Sequence, residues 1–153
     1  RKFEEVNKFY DVISKTWLNY SKNEKKDIIK LNDEVGINSN LSKIDFSNVK
    51  LTNVKLEKTN LSYSNFSNVD LTGMNLNGAN LYGVHLIGKD LRNTNLKNAN
   101  FTNANLSGVN FEGAYMKNVN LNGSNLTGAN FNNAKLKGAN FDGAIIDRTI
   151  LSN

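Results

Sequence analysis

The ionisable side chains of this chain are few, and their types exclude most catalytic chemistry. His85 is the single histidine and there is no cysteine, which excludes multi-histidine metal sites, thiolate zinc sites and cysteine nucleophiles. Asp70 and Asp90 lie twenty residues apart, and paired carboxylates can transfer protons when one of them is held neutral. We expect both to stay ionised on an open convex surface, bridged by a lysine. The sequence therefore predicts no enzyme, no metal and no cofactor.

Lysines recur at the same twenty-residue interval further along the chain. If the backbone returns to the same side every twenty residues, Lys97, Lys117 and Lys137 stack in one column. The predicted partner-binding residues on that side are Lys55, Lys58, Lys97, Tyr115, Lys117, Lys135 and Lys137. Such a strip favours an anionic partner, which could be an acidic protein, a nucleic-acid backbone or anionic lipid, and of these we predict a protein with an acidic surface. The alternative is a solvated lysine face that keeps an Asn-rich protein soluble.

The element that positions these residues is set by a period of five. Every fifth residue from Leu41 to Leu151 is a large apolar one, with no insertion. A helix would scatter such residues around its axis, and a strand would send them alternately to its two faces. Each unit of five must therefore turn the chain and return its apolar centre to one interior, which indicates a solenoid.

The rest of each unit supports this interpretation. Small or β-branched residues stand two positions before the centre, Asn or Asp stands immediately before it, and Gly or Asn stands two positions after it. Asn and Gly tolerate the backbone angles that tight turns demand, and Asn can bond its own nearby backbone. One column of the outer surface is Asn throughout, and we expect it to form a ladder of amides. Its members are Asn40, Asn60, Asn80, Asn100, Asn120 and Asn140, and Tyr63 and Tyr82 lie on the same face.

Units such as Gly78-Ala79-Asn80-Leu81 and Gly128-Ala129-Asn130-Phe131 resemble the A-(D/N)-L-x-x pattern of the pentapeptide-repeat family. The resemblance covers residues 39–153 in about 23 repeats, or nearly six coils. It implies an all-β solenoid, a right-handed quadrilateral parallel β-helix with four units per coil. It also implies a gyrase-binding DNA mimic as an alternative function. The net charge of +5 opposes that alternative, because imitating phosphates needs rows of negative charge.

The two ends of the chain differ from the repeats. Residues 1–38 show helical periodicity and are predicted to form an α-helical cap over the first coil; the alternative is a helical interaction arm. Near the other end, Ile145 and Ile150 replace polar residues beside Ile146 and Leu151, which predicts homodimerisation through that end. A self-contained end is the alternative.

Lys89 violates the repeat pattern, because it stands two residues before Leu91 at a position that is otherwise small and apolar. We expect it to pair with Asp70 or Asp90, or to distort the coil locally. The sequence contains no apolar run that could span a bilayer and no signal-peptide pattern, and a cytoplasmic location is the expectation. The predicted function is that of a non-enzymatic interaction scaffold.

Overall fold

The structure, a computed structural model, describes residues 40–48, 51 and 54–151. Its backbone winds in stacked coils, and every bridge joins two residues that are 20 positions apart in parallel, as Asn80 joins Asn100. One coil therefore holds four units of five residues. The predicted helical cap, residues 1–38, lies outside the described residues.

Each side of a coil contributes a single bridging residue, so the described part of the chain forms neither extended strands nor helices. Between the bridges the chain makes a turn in which the carbonyl of a centre accepts the N–H three residues later, as Leu76 does from Ala79 at 3.0 Å. The side chain of the residue before the centre makes a second hydrogen bond within the turn, since Asn100 Oδ1 accepts the N–H of Thr102 at 3.0 Å. This explains the preference for Asn or Asp at that position.

The position two residues after each centre has a positive φ at every described unit, between 55° and 77°. Gly and Asn fill most of these positions, as the sequence predicts, because they adopt this conformation at least cost. The residues that break the rule are Lys43, Lys58, Tyr63 and Arg148.

The centres fill the interior of the solenoid and are almost completely buried up to Phe131. Aromatic rings stack along the axis, as in Phe111 and Phe131, whose centroids lie 4.9 Å apart. Phe101 and Phe111 come from opposite sides of one coil, and their rings meet edge to face at 6.0 Å. Contact across the interior between residues ten positions apart is what a narrow four-sided coil requires.

Adjacent coils are joined by pairs of backbone hydrogen bonds at each bridging residue, and we call each pair a rung. Two rungs are missing among the described residues. Most bridging residues make two backbone hydrogen bonds with the preceding coil, as Asn80 does when its N–H donates to the Thr59 carbonyl and its carbonyl accepts the Leu61 N–H. Asp90 makes neither of these bonds with the coil that contains Asp70, and Asn75 makes neither with the coil that contains Lys55. The first of these gaps lies beside Lys89, the residue that the sequence singles out.

Candidate functional site

The predicted lysine column forms on the side of the solenoid whose centres are residues 56, 76, 96, 116 and 136, which we call the basic face. Asn98 donates its N–H to the Lys117 carbonyl at 2.9 Å, and Asn118 donates to the Lys137 carbonyl at 2.9 Å. These rungs place Lys97, Lys117 and Lys137 in successive coils, about 5 Å apart at the backbone.

Tyr115 and Lys135 belong to the same group. Parallel bridges run from Asn95 to Tyr115 and from Tyr115 to Lys135, so the two side chains lie beside the lysine column in adjacent coils. The ring of Tyr115 is 43% exposed, which leaves it available to a partner.

Lys55 and Lys58 lie apart from this group. Lys58 bonds through its N–H to the Asn77 carbonyl at 2.8 Å, and Gly78 bonds in turn to Lys97 at 2.8 Å, so one neutral coil separates them from Lys97. The structure therefore divides the predicted residues into a compact group of five and a distant pair.

The compact group carries uncompensated positive charge. Over residues 95–138, the outward positions of the basic face include no Asp or Glu. In the described part of the chain the one ion pair is Arg92 with Asp90, on the neighbouring side. Like charges stacked at coil spacing repel, so the folded state tolerates a cost that an anionic partner would relieve.

Lys89 distorts the coil and forms no ion pair within the described residues. Its Nζ donates to the Val69 carbonyl at 2.5 Å, which is the acceptor that the N–H of Asp90 would use in a regular rung. The rung between Asp70 and Asp90 consequently does not form, and the Asp90 N–H makes no bond to the Val69 carbonyl. Partial burial lowers the pKa of the Lys89 ammonium, and the Asp70 carboxylate opposes that shift.

The expected lysine bridge between Asp70 and Asp90 is wrong. Asp90 pairs with Arg92 through two oxygens, with Arg92 Nη2 at 2.6 Å from Oδ2, and this bond holds the pKa of Asp90 below its ordinary value. Hydrogen bonds from Thr72 do the same for Asp70. Arg92 was not among the predicted site residues, although it stands two residues after Asp90, where a side chain in the turn can reach the carboxylate.

The C-terminal coil exposes the apolar residues that the sequence marks. Ile145, Ile146, Ile150 and Leu151 are each about half exposed. The N–H groups of the centres Leu136, Phe141 and Ile146 have no backbone partner among the described residues. The last described coil therefore presents an apolar surface.

The asparagine ladder forms only in part. Asn60, Asn80 and Asn100 each donate through Nδ2 to the preceding member at 3.1, 3.4 and 3.2 Å, whereas no such bond extends the ladder to Asn120 or Asn140. Beside it, the rings of Tyr63 and Tyr82 meet edge to face, with centroids 5.6 Å apart. Their shared face was predicted, but the contact was not.

Metal or membrane sites are not found in the described residues. No three His, Asp or Glu side chains lie close enough there to hold a metal ion. Nor do those residues form a helix with the length and apolar character needed to cross a bilayer.

Comparison with known proteins connects this geometry to a family. The family model for pentapeptide repeats matches residues 39–78, 75–113 and 114–153. A search of curated proteins gives no match. Among solved structures, the chain is similar to HetL from the cyanobacterium Nostoc sp. strain PCC 7120, a pentapeptide repeat protein involved in heterocyst differentiation regulation. The TM-score is 0.68 and the identity 28%, over 74% of this chain and 53% of HetL, so the chain spans about half of HetL.

Rfr23, a pentapeptide repeat protein from the cyanobacterium Cyanothece 51142, has a TM-score of 0.58 and 32% identity over 72% of this chain and 84% of its own. QnrB1, a plasmid-mediated fluoroquinolone resistance protein, has a TM-score of 0.54 and 17% identity over 74% of this chain and 68% of its own, a likeness in fold alone. With the repeats matched from residue 39 to residue 153, the chain belongs to the pentapeptide repeat family.

Proposed function

We propose that this protein is a non-enzymatic interaction scaffold whose basic face binds a protein with an acidic surface. The observation that carries the proposal is the compact group of Lys97, Tyr115, Lys117, Lys135 and Lys137 on a face without acidic residues over three coils. The stacked coils hold these side chains on a rigid backbone, so little ordering of the scaffold is needed when a partner binds.

The carboxylates support a role without catalysis. General acid–base work needs a carboxyl group whose pKa is raised toward neutrality. Hydrogen bonds from Thr72 and Arg92 instead lower the pKa values of Asp70 and Asp90, which keeps both ionised at neutral pH. His85 is exposed on a convex side of the coil, with Asn65 and Asn105 as its bridge partners.

A protein partner fits the basic face better than nucleic acid does. An exposed tyrosine among lysines offers an aromatic anchor of the kind that dominates protein interfaces. The group contains no arginine fork for a phosphate, and four lysines would neutralise few phosphates.

The DNA-mimic alternative lacks a supporting charge pattern. Asp70 and Asp90 are the longest run of acidic residues within one column of the described chain, and Arg92 compensates one of them. The likeness to QnrB1 concerns the fold alone. We therefore expect no competition with DNA for a topoisomerase.

The C-terminal end is proposed as a self-association surface. A second copy of the last described coil would cover its four half-exposed apolar side chains. We also infer a right-handed winding of the coils from membership in the family. The cytoplasmic location stays a prediction.

A charge-reversal experiment tests the basic face. The variant Lys97→Glu with Lys117→Glu should weaken binding of a fluorescein-labelled decaglutamate peptide, measured by anisotropy at low salt, by more than about tenfold. The matched control is Lys43→Glu with Arg148→Glu, which changes the net charge equally but lies on other sides of the solenoid. Equal losses in both variants would show that overall charge, and not this face, attracts the anion.

A sedimentation experiment tests the C-terminal end separately. Ile145→Asn with Ile150→Asn restores the Asn that precedes them in their columns at Asn125 and Asn130. We expect the parent protein to sediment as a dimer and this variant as a monomer with an unchanged circular dichroism spectrum. A monomeric parent would refute self-association without affecting the basic face.

A further inference from the structure

An exposed tyrosine, Tyr63, and a half-buried one, Tyr82, lie at the edge of the side whose centres are residues 41, 61, 81, 101, 121 and 141, which we call the asparagine face. Tyr63 is 56% exposed, and its ring meets that of Tyr82 at 5.6 Å, edge to face. The pair lies on a different side of the solenoid from the lysine column, so the basic face does not account for it.

Both rings are fixed in place by the next coils. The ring of Tyr63 covers Gly83 so closely that a Cβ at residue 83 would lie 2.5 Å from a ring carbon. Asn103 Nδ2 donates to Tyr82 Oη at 2.9 Å, and the Tyr82 N–H donates to Asn80 Oδ1 at 3.1 Å. The aromatic surface is therefore preorganised and joined to the asparagine ladder.

The backbone conformation at position 63 disfavours a tyrosine. Its φ is +59°, a conformation that costs a bulky residue about 1–2 kcal/mol. Gly occupies the equivalent position at residues 83, 123 and 143 and meets the same requirement without that cost. Lys43, Lys58 and Arg148 share the positive φ, but among these four residues Tyr63 is the one that presents a rigid and exposed aromatic ring, the kind of surface on which a ligand can stack.

The surroundings of the pair define the chemistry of that ligand. Over residues 60–123 the outward positions of the asparagine face contain only amides, hydroxyls, glycine and the two tyrosines, with no Lys, Arg, Asp or Glu. An ionic ligand would have no oppositely charged side chain to pair with on this face. An apolar protein surface could bury only the two tyrosine rings, which is too little apolar area for a stable contact. The face suits a neutral ligand that has both hydroxyl groups and apolar C–H surfaces.

We propose that the asparagine face binds an extended, neutral β-1,4-linked glycan. A sugar ring would stack on Tyr63, because its C–H face matches the negative face of an aromatic ring. The ladder uses one N–H of each Nδ2 in Asn80 and Asn100, which leaves the second available to sugar hydroxyls. An extended β-1,4 chain advances by close to one coil spacing per sugar, so successive rings meet successive amides.

The test is a titration of the ¹⁵N-labelled protein with cellohexaose and with chitohexaose, following the side-chain amide resonances of Asn80 and Asn100. We expect saturable shifts with at least one of the two. Maltohexaose, an α-1,4-linked chain that curls and cannot lie along a flat face, should cause none.

Two variants separate binding from folding. Tyr63→Gly should weaken hexaose binding by about tenfold or more, because it removes the stacking ring, and should leave the circular dichroism spectrum unchanged, because Gly already adopts this positive φ at residues 83, 123 and 143. Tyr115→Asn removes an exposed tyrosine from the basic face, matches Asn75 and Asn95 in its column, and should leave hexaose binding unchanged.

Several results would overturn the proposal. They are the absence of shifts with both β-1,4 hexaoses, equal shifts with maltohexaose, or undiminished binding by Tyr63→Gly. If decaproline shifted the same amides while the hexaoses did not, the tyrosine pair would be a peptide site.

Discussion

Replacing Lys89 by valine should repair the solenoid. Val69 and Val109 hold the same column position in the neighbouring coils and are buried. With the ammonium removed, the Val69 carbonyl becomes free to accept the N–H of Asp90, and the Asp90 carbonyl can accept the N–H of Leu71. These are the two bonds that every regular rung contains and this one lacks.

The magnitude follows from what is gained and lost. Two backbone hydrogen bonds contribute about 1–3 kcal/mol, and the additional apolar burial contributes about 1 kcal/mol. The lost bond from Lys89 Nζ to the Val69 carbonyl costs about 1.5–3 kcal/mol, and the end of ammonium desolvation offsets part of that. The net gain is about 1–2 kcal/mol, or about 2–8 °C in Tm for a protein of this size.

Guanidinium unfolding followed by circular dichroism measures the gain, and amide exchange locates it. We expect the N–H groups of Leu71 and Asp90 to exchange more slowly in Lys89→Val. The control Lys135→Val removes an exposed lysine with no effect on this rung. An unchanged or lower midpoint, or unaltered exchange at both amides, would refute the idea that Lys89 holds the rung open.

The same substitution has a pH signature. The pKa of Lys89 is lowered in the folded state below its ordinary value of 10.5, so between the two values the unfolded chain binds the extra proton. Stability of the parent protein therefore rises as pH increases through that window. Lys89→Val lacks this gain, and its advantage over the parent should narrow from neutral pH toward about pH 10.

Three further changes test the core, the turns and the ladder, each by guanidinium unfolding. Phe111→Ala removes a ring stacked on Phe131 and should destabilise the protein by about 3–5 kcal/mol, whereas a loss below about 1 kcal/mol would mean that the coils repack around the gap. Lys58→Gly relieves a positive φ of 55° and should stabilise the protein by about 1 kcal/mol; a lower midpoint would show that the lysine stem packs productively. Asn100→Ala removes the acceptor for the N–H and the hydroxyl of Thr102 and also one ladder bond, and should cost about 1–2 kcal/mol more than the control Asn125→Ala, which removes the same two bonds from Thr127 and no ladder bond; equal losses would mean that the ladder adds no stability.

The sequence alone was sufficient for the repeating architecture because each unit repeats the same physical requirement. An apolar centre such as Leu96 must be buried, and the residue two positions later must tolerate a positive φ, so one unit predicts the others. The twenty-residue column of Lys97, Lys117 and Lys137 follows from the same regularity.

Side-chain choices between competing partners could not be predicted in this way. Asp90 had Lys89 beside it in sequence, yet it pairs with Arg92, whose guanidinium reaches both carboxylate oxygens within one turn. The contact of Tyr63 with Tyr82 depends on the small size of Gly83 in the next coil, a three-residue arrangement that column positions do not specify.

The four-sided cross-section also governs how such a protein can change length. Inserting or deleting twenty residues leaves every following column on its own side, whereas a change of five residues rotates all that follows by a quarter turn. A single additional unit between Lys97 and Lys117 would carry Lys117 and Lys137 onto the adjacent side and divide the basic face. A surface pattern that extends over several coils is therefore preserved only when residues are inserted or deleted in multiples of twenty.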